Sequence, residues 1–160
     1  MRWVSLDSTH ITLKFIGDTE TDRQSDIEQA VARAALGHIP FMLDITDAGG
    51  FPDLRKPRVV WAGVGGATDN LFALRDSVEQ TVAPLGYPTE SRPFSAHITL
   101  ARARQGTTLT ALSAIGTEIG KLEIDTEATW RVEGISLMKS ELKRSGAVYT
   151  RVFYVPLPSV

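Results

Sequence analysis

The chain has 160 residues, enough for one domain with a sizeable core, and its 42% apolar and 22% charged content is that of a globular protein rather than a disordered one. Seventeen basic against nineteen acidic residues leave a net charge of −2, which argues against a protein that coats long nucleic acid by releasing counterions; any nucleic-acid substrate is expected to be small, or gripped at one end. With no cysteine there is no disulfide, thiolate nucleophile or cysteine-based zinc site, and with no apolar run of about 18 residues and no apolar leader the default is a soluble, cytoplasmic protein.

Residues 9–16, HITLKFIG, predict a first strand by alternation, with Ile11, Leu13 and Phe15 on the core face and His10, Thr12 and Lys14 on the other. Helix signals follow from about Asp22 to Leu36, with Ile27, Val31 and Ala34 at helical spacing and Gly37 as the stop. Phe41 to Thr46 predicts a strand, Gly49-Gly50-Phe51-Pro52 a loop, and Arg58 to Val64 a β-branched strand carrying Trp61. Thr68 to Leu85 predicts an amphipathic helix with Leu71, Leu74, Val78 and Val82 on one face, ended by Gly86 and Pro88. His97 to Ala103 predicts a strand, about Thr108 to Ile119 a helix, and the segments near 121–127, 130–138 and 147–155 three closing strands.

The tetrapeptide His-Ile-Thr-Leu occurs twice, at His10–Leu13 and at His97–Leu100, and takes two of the three histidines. In a strand, residues i and i+2 share a face, so each copy sets an imidazole beside a hydroxyl and sends Ile and Leu into a core. Two such strands facing each other gather two imidazoles and two hydroxyls around one small space. That set suits acid–base chemistry on a phosphodiester: one imidazole takes a proton from water, the other gives one to a leaving alkoxide, and the hydroxyls hydrogen-bond the phosphoryl oxygens. Imidazole's ordinary pKa of about 6.5 makes both protonation states accessible near neutrality. The order of elements repeats too. Each copy is followed by helix, strand, strand, which suggests a duplicated βαββ unit, over approximately 9–65 and 96–156, with the two HITL strands as counterparts across a cleft. No linker divides the chain, so one domain over residues 1–160 is expected.

Four segments in this order resemble one family. Arg2-Trp3-Val4 with HITLKFIGD, FPDLRKPRVVWAGV from Phe51 to Val64, Arg92-Pro93-Phe94 with Ser95-Ala96-HITLAR, and Ser140-Glu141-Leu142 with Gly146 and Tyr149-Thr150 resemble the two-histidine phosphoesterases, specifically the LigT-like RNA 2′,3′-cyclic phosphodiesterase (2′-5′ RNA ligase) family. The resemblance implies an α+β, bilobal fold of two pseudo-symmetric antiparallel sheets, with helices outside and a central cleft. It implies metal-independent, cofactor-free opening of a 2′,3′-cyclic phosphate to a 2′-phosphomonoester, with RNA ends or small cyclic nucleotides as partners and no membrane. It also implies, in some members, a reversible 2′-5′ joining of RNA ends. The catalytic residues carry over to His10, Thr12, His97 and Thr99, with His97 as base and His10 as acid when the 3′ oxygen leaves. Relatives usually begin with a further strand and helix ahead of the Arg-Trp-Val segment. Without them, one sheet edge near Arg2–Ser5 or the C-terminal strands is expected to lie uncovered and to invite self-association.

Other residues are candidates for binding substrate. Lys14 shares the catalytic face by parity and could neutralise phosphate; a surface lysine is the other reading. Arg92 lies in the loop before the second motif. Arg102 has the opposite parity to His97 and reaches the site only if the strand bends or bulges. Phe51 and Trp61 could stack a base or fill the core, and Tyr149 could serve either. His38 follows a helix stop and reads as a capping or exposed imidazole. Two rivals from other classes stand beside cyclic phosphate hydrolysis: a non-catalytic RNA- or nucleotide-binding module, and a metal-dependent phosphoesterase, for which neither motif offers a carboxylate at i+2 or i+4.

Overall fold

The structure, a computed structural model, describes residues 1–124, 128–143 and 146–159. The described chain is α+β and divides into two compact units. The first comprises Met1–Thr12, Leu43–Gly66 and Ser95–Trp130; the second comprises Leu13–Met42, Ala67–Phe94 and Arg131–Val160. Both copies of the HITL motif begin in the first unit, so the compact units are not the two repeated stretches of sequence. Among the described residues no helix is long and apolar enough to cross a membrane.

The first unit is built on a five-stranded sheet in the order β1 (Arg2–Trp3), β4 (His97–Arg102), β3 (Val59–Gly66), β2 (Phe41–Phe51), β5 (Thr129–Val132). The β1–β4, β4–β3 and β3–β2 pairs are antiparallel. Helix α3 (Leu109–Ile119) follows β4, and its first turn is capped by the Thr108 hydroxyl, which accepts from the Ala111 N–H at 3.2 Å. Its Ile119 packs with Val60 and Ala101, flanked by Ala48, Leu100 and Ile115, to form a core on one face of the sheet.

The second unit pairs β6 (Gly134–Lys143) with β7 (Gly146–Pro156) in a two-stranded antiparallel sheet. Helix α1 (Gln24–Ala35) packs against α2 (Thr68–Val82) and against this hairpin. The helical spacing read from sequence fills this core: Ile27, Val31 and Ala34 of α1 and Leu71, Leu74, Val78 and Val82 of α2 are all buried. Each such side chain contributes roughly 1.5–3 kcal/mol when large and fully buried. The two sheets are thus unequal, five strands against two.

Several expected boundaries move. Residues 9–16 do not form a ladder strand: they contribute one isolated bridge, Ile11 with Ile98, and Phe15 is 83% exposed rather than in the core. Past Thr12 the chain enters the second unit, where the Lys14 side chain is buried against Glu79. Gly49, Gly50 and Phe51 belong to β2, and the turn starts only at Pro52. The strand expected over 130–138 is two strands that part at Glu133. Of the strand expected near 121–127, residues 121–124 are turn and coil, and 125–127 lie outside the described residues. His38 is half-buried, and its Nε2 lies 2.8 Å from the Ser77 hydroxyl of α2, so it ties two helices instead of facing solvent.

Candidate active site

The two HITL copies meet edge to edge in one sheet surface, rather than facing each other across a gap. The Ile11–Ile98 bridge is antiparallel. Counting outward from it sets His10 opposite Thr99 and Thr12 opposite His97. Because side chains alternate, the two isoleucines point to one face and the four polar side chains to the other. Directly opposed positions of this kind have Cβ atoms about 4.5–5.5 Å apart. Continued one residue to either side of the bridge, this pairing brings the positions of two imidazoles and two hydroxyls together inside the first unit.

Each imidazole is anchored in the same way. His10 Nδ1 lies 2.8 Å from the Ser8 carbonyl oxygen, and His97 Nδ1 lies 2.7 Å from the Ser95 carbonyl oxygen. A carbonyl only accepts, so Nδ1 must carry the hydrogen. That fixes the tautomer and leaves Nε2 as the nitrogen whose proton can come and go. Sequence reading missed this pair of anchors, although a signal was present: Ser8-Thr9-His10 and Ser95-Ala96-His97 extend the repeated word to Ser-x-His-Ile-Thr-Leu.

Arg102 joins this face through a bulge. Val60 pairs with Ala101, but Trp61 pairs with Thr99, so Leu100 is an extra residue in β4. Leu100 and Ala101 both pack into the core, and parity is reset beyond them. Arg102, whose ladder partners are Val59 and Arg2, therefore returns to the face of Thr99 and His97. The Phe51 ring meets His97 edge to face at 5.0 Å and lies 5.4 Å from the Trp61 ring. Trp61 occupies the space over Gly49, its ladder partner, where a Cβ would overlap the indole. Phe51 and Trp61 are half-buried, which leaves aromatic surface beside the imidazole.

Sequence reading also overlooked Thr46 and Asp47. They form a bulge of β2 opposite Gly63, which is the ladder partner of His97. Their side chains lean over Gly63 where a Cβ would otherwise stand, placing a carboxylate and a hydroxyl in the row that contains His97. The glycine at 63, in a β-branched strand, was the available hint.

The remaining candidates lie in the second unit. The Lys14 ammonium donates to Glu79 Oε2 at 2.6 Å and to the Pro88 carbonyl at 2.8 Å, and the Lys14 and Glu79 side chains are each only 5% exposed. Arg92 is exposed in the segment before β4, its N–H bonded to the Glu90 carboxylate at 3.1 Å. Tyr149 is half-buried in β7, paired with Ser140.

The family model of the 2′-5′ RNA ligase superfamily matches residues 3–144. A protein of Aeropyrum pernix named RNA 2′,3′-cyclic phosphodiesterase is 33% identical over 159 residues, covering 99% of this chain and 88% of that protein. One of the same name from Methanothermobacter thermautotrophicus is 32% identical over 150 residues, covering 94% and 79%. Among solved structures, a Thermus thermophilus protein superposes with a TM-score of 0.79 at 27% identity, covering 99% of this chain and 82% of that one. E. coli LigT in complex with 3′-AMP gives 0.73 at 26% identity, covering 98% and 80%. With its four polar motif residues on one sheet face, its LigT-like fold and this match over nearly its whole length, the chain belongs to the 2′-5′ RNA ligase superfamily.

Proposed function

We propose that the protein is an RNA 2′,3′-cyclic phosphodiesterase that works without a metal ion, through His10, Thr12, His97 and Thr99. The observation that carries this reading is the antiparallel Ile11–Ile98 bridge, which supports it because alternation on either side assigns the four polar positions to one face. The names and coverage of the relatives support the reaction class. In the proposed reaction, neutral His97 Nε2 takes a proton from water as the water oxygen bonds to phosphorus. The P–O3′ bond breaks, and protonated His10 Nε2 gives its proton to the departing 3′ oxygen. A 2′-phosphomonoester remains. Thr12 and Thr99 hold the non-bridging oxygens as charge builds on them, and Arg102 and Lys14 are the cations read from sequence as phosphate partners. Of these two, Arg102 has the support of its bulge. Phe51 and Trp61 offer ring surface to a base; Arg92 and Tyr149 stand as candidates from sequence. Two imidazoles and two hydroxyls form a poor set for a hard cation, which supports the metal-free reading. With a 5′-hydroxyl attacking in place of water, the same step gives 2′-5′ joining with the same histidine roles; its reverse, in which the 3′-hydroxyl attacks phosphorus and the 5′ oxygen leaves, exchanges them.

The test is turnover of a 2′,3′-cyclic nucleotide in EDTA by the wild type, His10→Ala and His97→Ala. Each variant should fold and lose about 10²–10⁴-fold in rate. The double variant should be far less than multiplicatively worse, since the two groups act as one unit. Activity that disappears in EDTA, or survives in the double variant, overturns the mechanism. Self-association is part of the same proposal: the β6–β7 sheet has no third strand among the described residues, and an open ladder accepts one from a second copy. A concentration-independent monomer in sedimentation would remove that part.

A further inference from the structure

We infer that Asp47 is the second acceptor for the attacking water, and that it makes the site prefer water to an alcohol as nucleophile. The inference rests on the proposed cyclic phosphodiesterase reading, with His97 as base, and assigns a further catalytic residue to that site.

A bulge aims the Asp47 side chain. Ile45 pairs with Val64 and Ala48 with Ala62, so Thr46 and Asp47 together stand opposite the single residue Gly63. Two residues against one bend a strand and redirect its side chains. Both side chains lean over Gly63, in the space that a Cβ would fill. Gly63 is the ladder partner of His97, and directly opposed positions share a face, with Cβ positions about 4.5–5.5 Å apart. The carboxylate is thus set next to His97 on the face to which His97 belongs. Asp44, the other carboxylate of β2, leans over Gly65, farther along β3 and beyond the pairing with β4. Glycine at 63 is what admits Asp47, since any side chain there would take its place.

The direction of attack selects the same side. Ile98 has Ile11 on one side and Ala62 on the other, so β4 runs between the His10 segment and β3. In a displacement at phosphorus the entering and leaving oxygens lie roughly in line. With the 3′ oxygen leaving toward His10, the water enters from the β3 side, where Asp47 stands over Gly63.

Water brings two hydrogens. His97 Nε2 takes one as the water oxygen bonds to phosphorus. The other stays on that oxygen and is donated as a hydrogen bond to Asp47 Oδ2, which turns a lone pair toward phosphorus. No proton passes to Asp47; the P–O3′ bond breaks and His10 protonates the 3′ oxygen. An ionised carboxylate only accepts. The Thr46 hydroxyl donates to Asp47 Oδ1 at 2.8 Å, which fixes the group and leaves Oδ2 for the water. An alcohol has a single hydroxyl hydrogen, which goes to His97. It gains no bond from Asp47 and must set its carbon against the carboxylate.

The experiment follows a 2′,3′-cyclic mononucleotide in aqueous methanol, with the 2′-phosphomonoester and the 2′-phosphate methyl ester separated by chromatography at initial rates. The wild type is compared with Asp47→Ala and Gly63→Ala, each checked for folding by circular dichroism; Asp47 is exposed, so its removal spares the core. Loss of one hydrogen bond to a charged group should lower kcat for hydrolysis about tenfold in Asp47→Ala. KM should hold or fall, because a carboxylate repels an anionic substrate. Methanolysis should change far less, so the ratio of methyl ester to monoester rises. Gly63→Ala displaces the carboxylate without removing it and should move the ratio the same way. A distorted His97 would lower both products alike. An unchanged ratio in either variant, or a raised KM at wild-type kcat in Asp47→Ala, therefore overturns the inference while leaving the phosphodiesterase reading in place. No turnover by the wild type removes both.

Discussion

Removing the Glu79 carboxylate should destabilise the second unit severely, and the size of the loss follows from its partners. Glu79 is a buried residue of α2. Its Oε2 accepts from Lys14 at 2.6 Å and its Oε1 from Arg75 at 3.1 Å. Lys14 is 5% and Arg75 14% exposed at the side chain, so the Glu79→Ala protein keeps a nearly desolvated Lys14 ammonium with no counter-charge, while Arg75 retains Asp76 at 3.0 Å. Breaking a buried pair from one side typically costs about 3–5 kcal/mol, whereas replacing both partners by apolar groups is often neutral. Against a total stability of about 5–15 kcal/mol, the single variant comes close to unfolding. Lys14→Met alone should cost less than Glu79→Ala, because Arg75 still neutralises Glu79. The Lys14→Met/Glu79→Ala double variant should recover part of the loss, with a coupling energy of about 1–3 kcal/mol in a double-mutant cycle. Urea unfolding followed by circular dichroism measures all three, and an unchanged m value certifies the comparison. The same Lys14→Met protein, assayed below its unfolding transition, should keep its KM for a cyclic nucleotide, since its ammonium is committed to Glu79 and Pro88. A loss below about 1 kcal/mol in Glu79→Ala, the range of an exposed pair, would refute the reasoning about burial. A large rise in KM with unchanged stability in Lys14→Met would return Lys14 to the phosphate.

A cyclic substrate with sulfur in place of the 3′ bridging oxygen releases a thiolate that needs no proton, so His10→Ala should recover most of its rate on it and His97→Ala should not; equal recovery would reject the assignment of acid and base. Gly49→Val should displace the Trp61 ring that covers Gly49 and, through Phe51, disturb His97; kcat should fall with little change in KM, and a variant with wild-type kcat would show that the aromatic pair does not position the imidazole. The rate of cyclic phosphate hydrolysis should follow a bell-shaped pH profile, one limb of which disappears in each single histidine variant; a flat profile in the wild type would exclude a two-imidazole mechanism.

Much of the candidate site was legible because its arrangement rests on local parity. Two residues apart on an extended segment means one face, and that placed His10 with Thr12 and His97 with Thr99. The helices were legible for a similar reason, since the spacing of Leu71, Leu74, Val78 and Val82 is a local signal that the core obeys. What stayed hidden depends on long-range partners or inserted residues. The alternation of HITLKFIG is genuine through Leu13, yet the segment leaves the sheet because Lys14 finds its counter-charge on a residue 65 positions away. Alternation cannot announce an extra residue, so the bulge at Leu100 that turns Arg102 around appears only once β3 and β4 are paired. Gly49-Gly50 carries a loop's composition, but at Gly49 the missing side chain makes room for an indole across the strand.

The two copies of the motif are the same word in unequal settings, and the inequality bears on their roles. His97 is half-buried in β4, a strand paired on both sides, with the Phe51 ring against it and Thr46 and Asp47 over the neighbouring Gly63. His10 is exposed and follows a short 3₁₀ turn, Leu6–Ser8, with a single bridge beside it. Hydrolysis makes different demands on base and acid. The attacking water is small and untethered, so its direction toward phosphorus must come from a rigid partner. The departing 3′ oxygen stays attached to a ribose that is still held through its 2′ phosphate, so the substrate itself supplies part of that geometry. In the proposed mechanism, a base on the strand paired on both sides and an acid on the segment held by one bridge match those demands, which favours His97 for water and His10 for the ribose oxygen. Both imidazoles keep the same Nδ1 anchor, so neither is barred by its tautomer from the opposite task when the reaction runs in reverse.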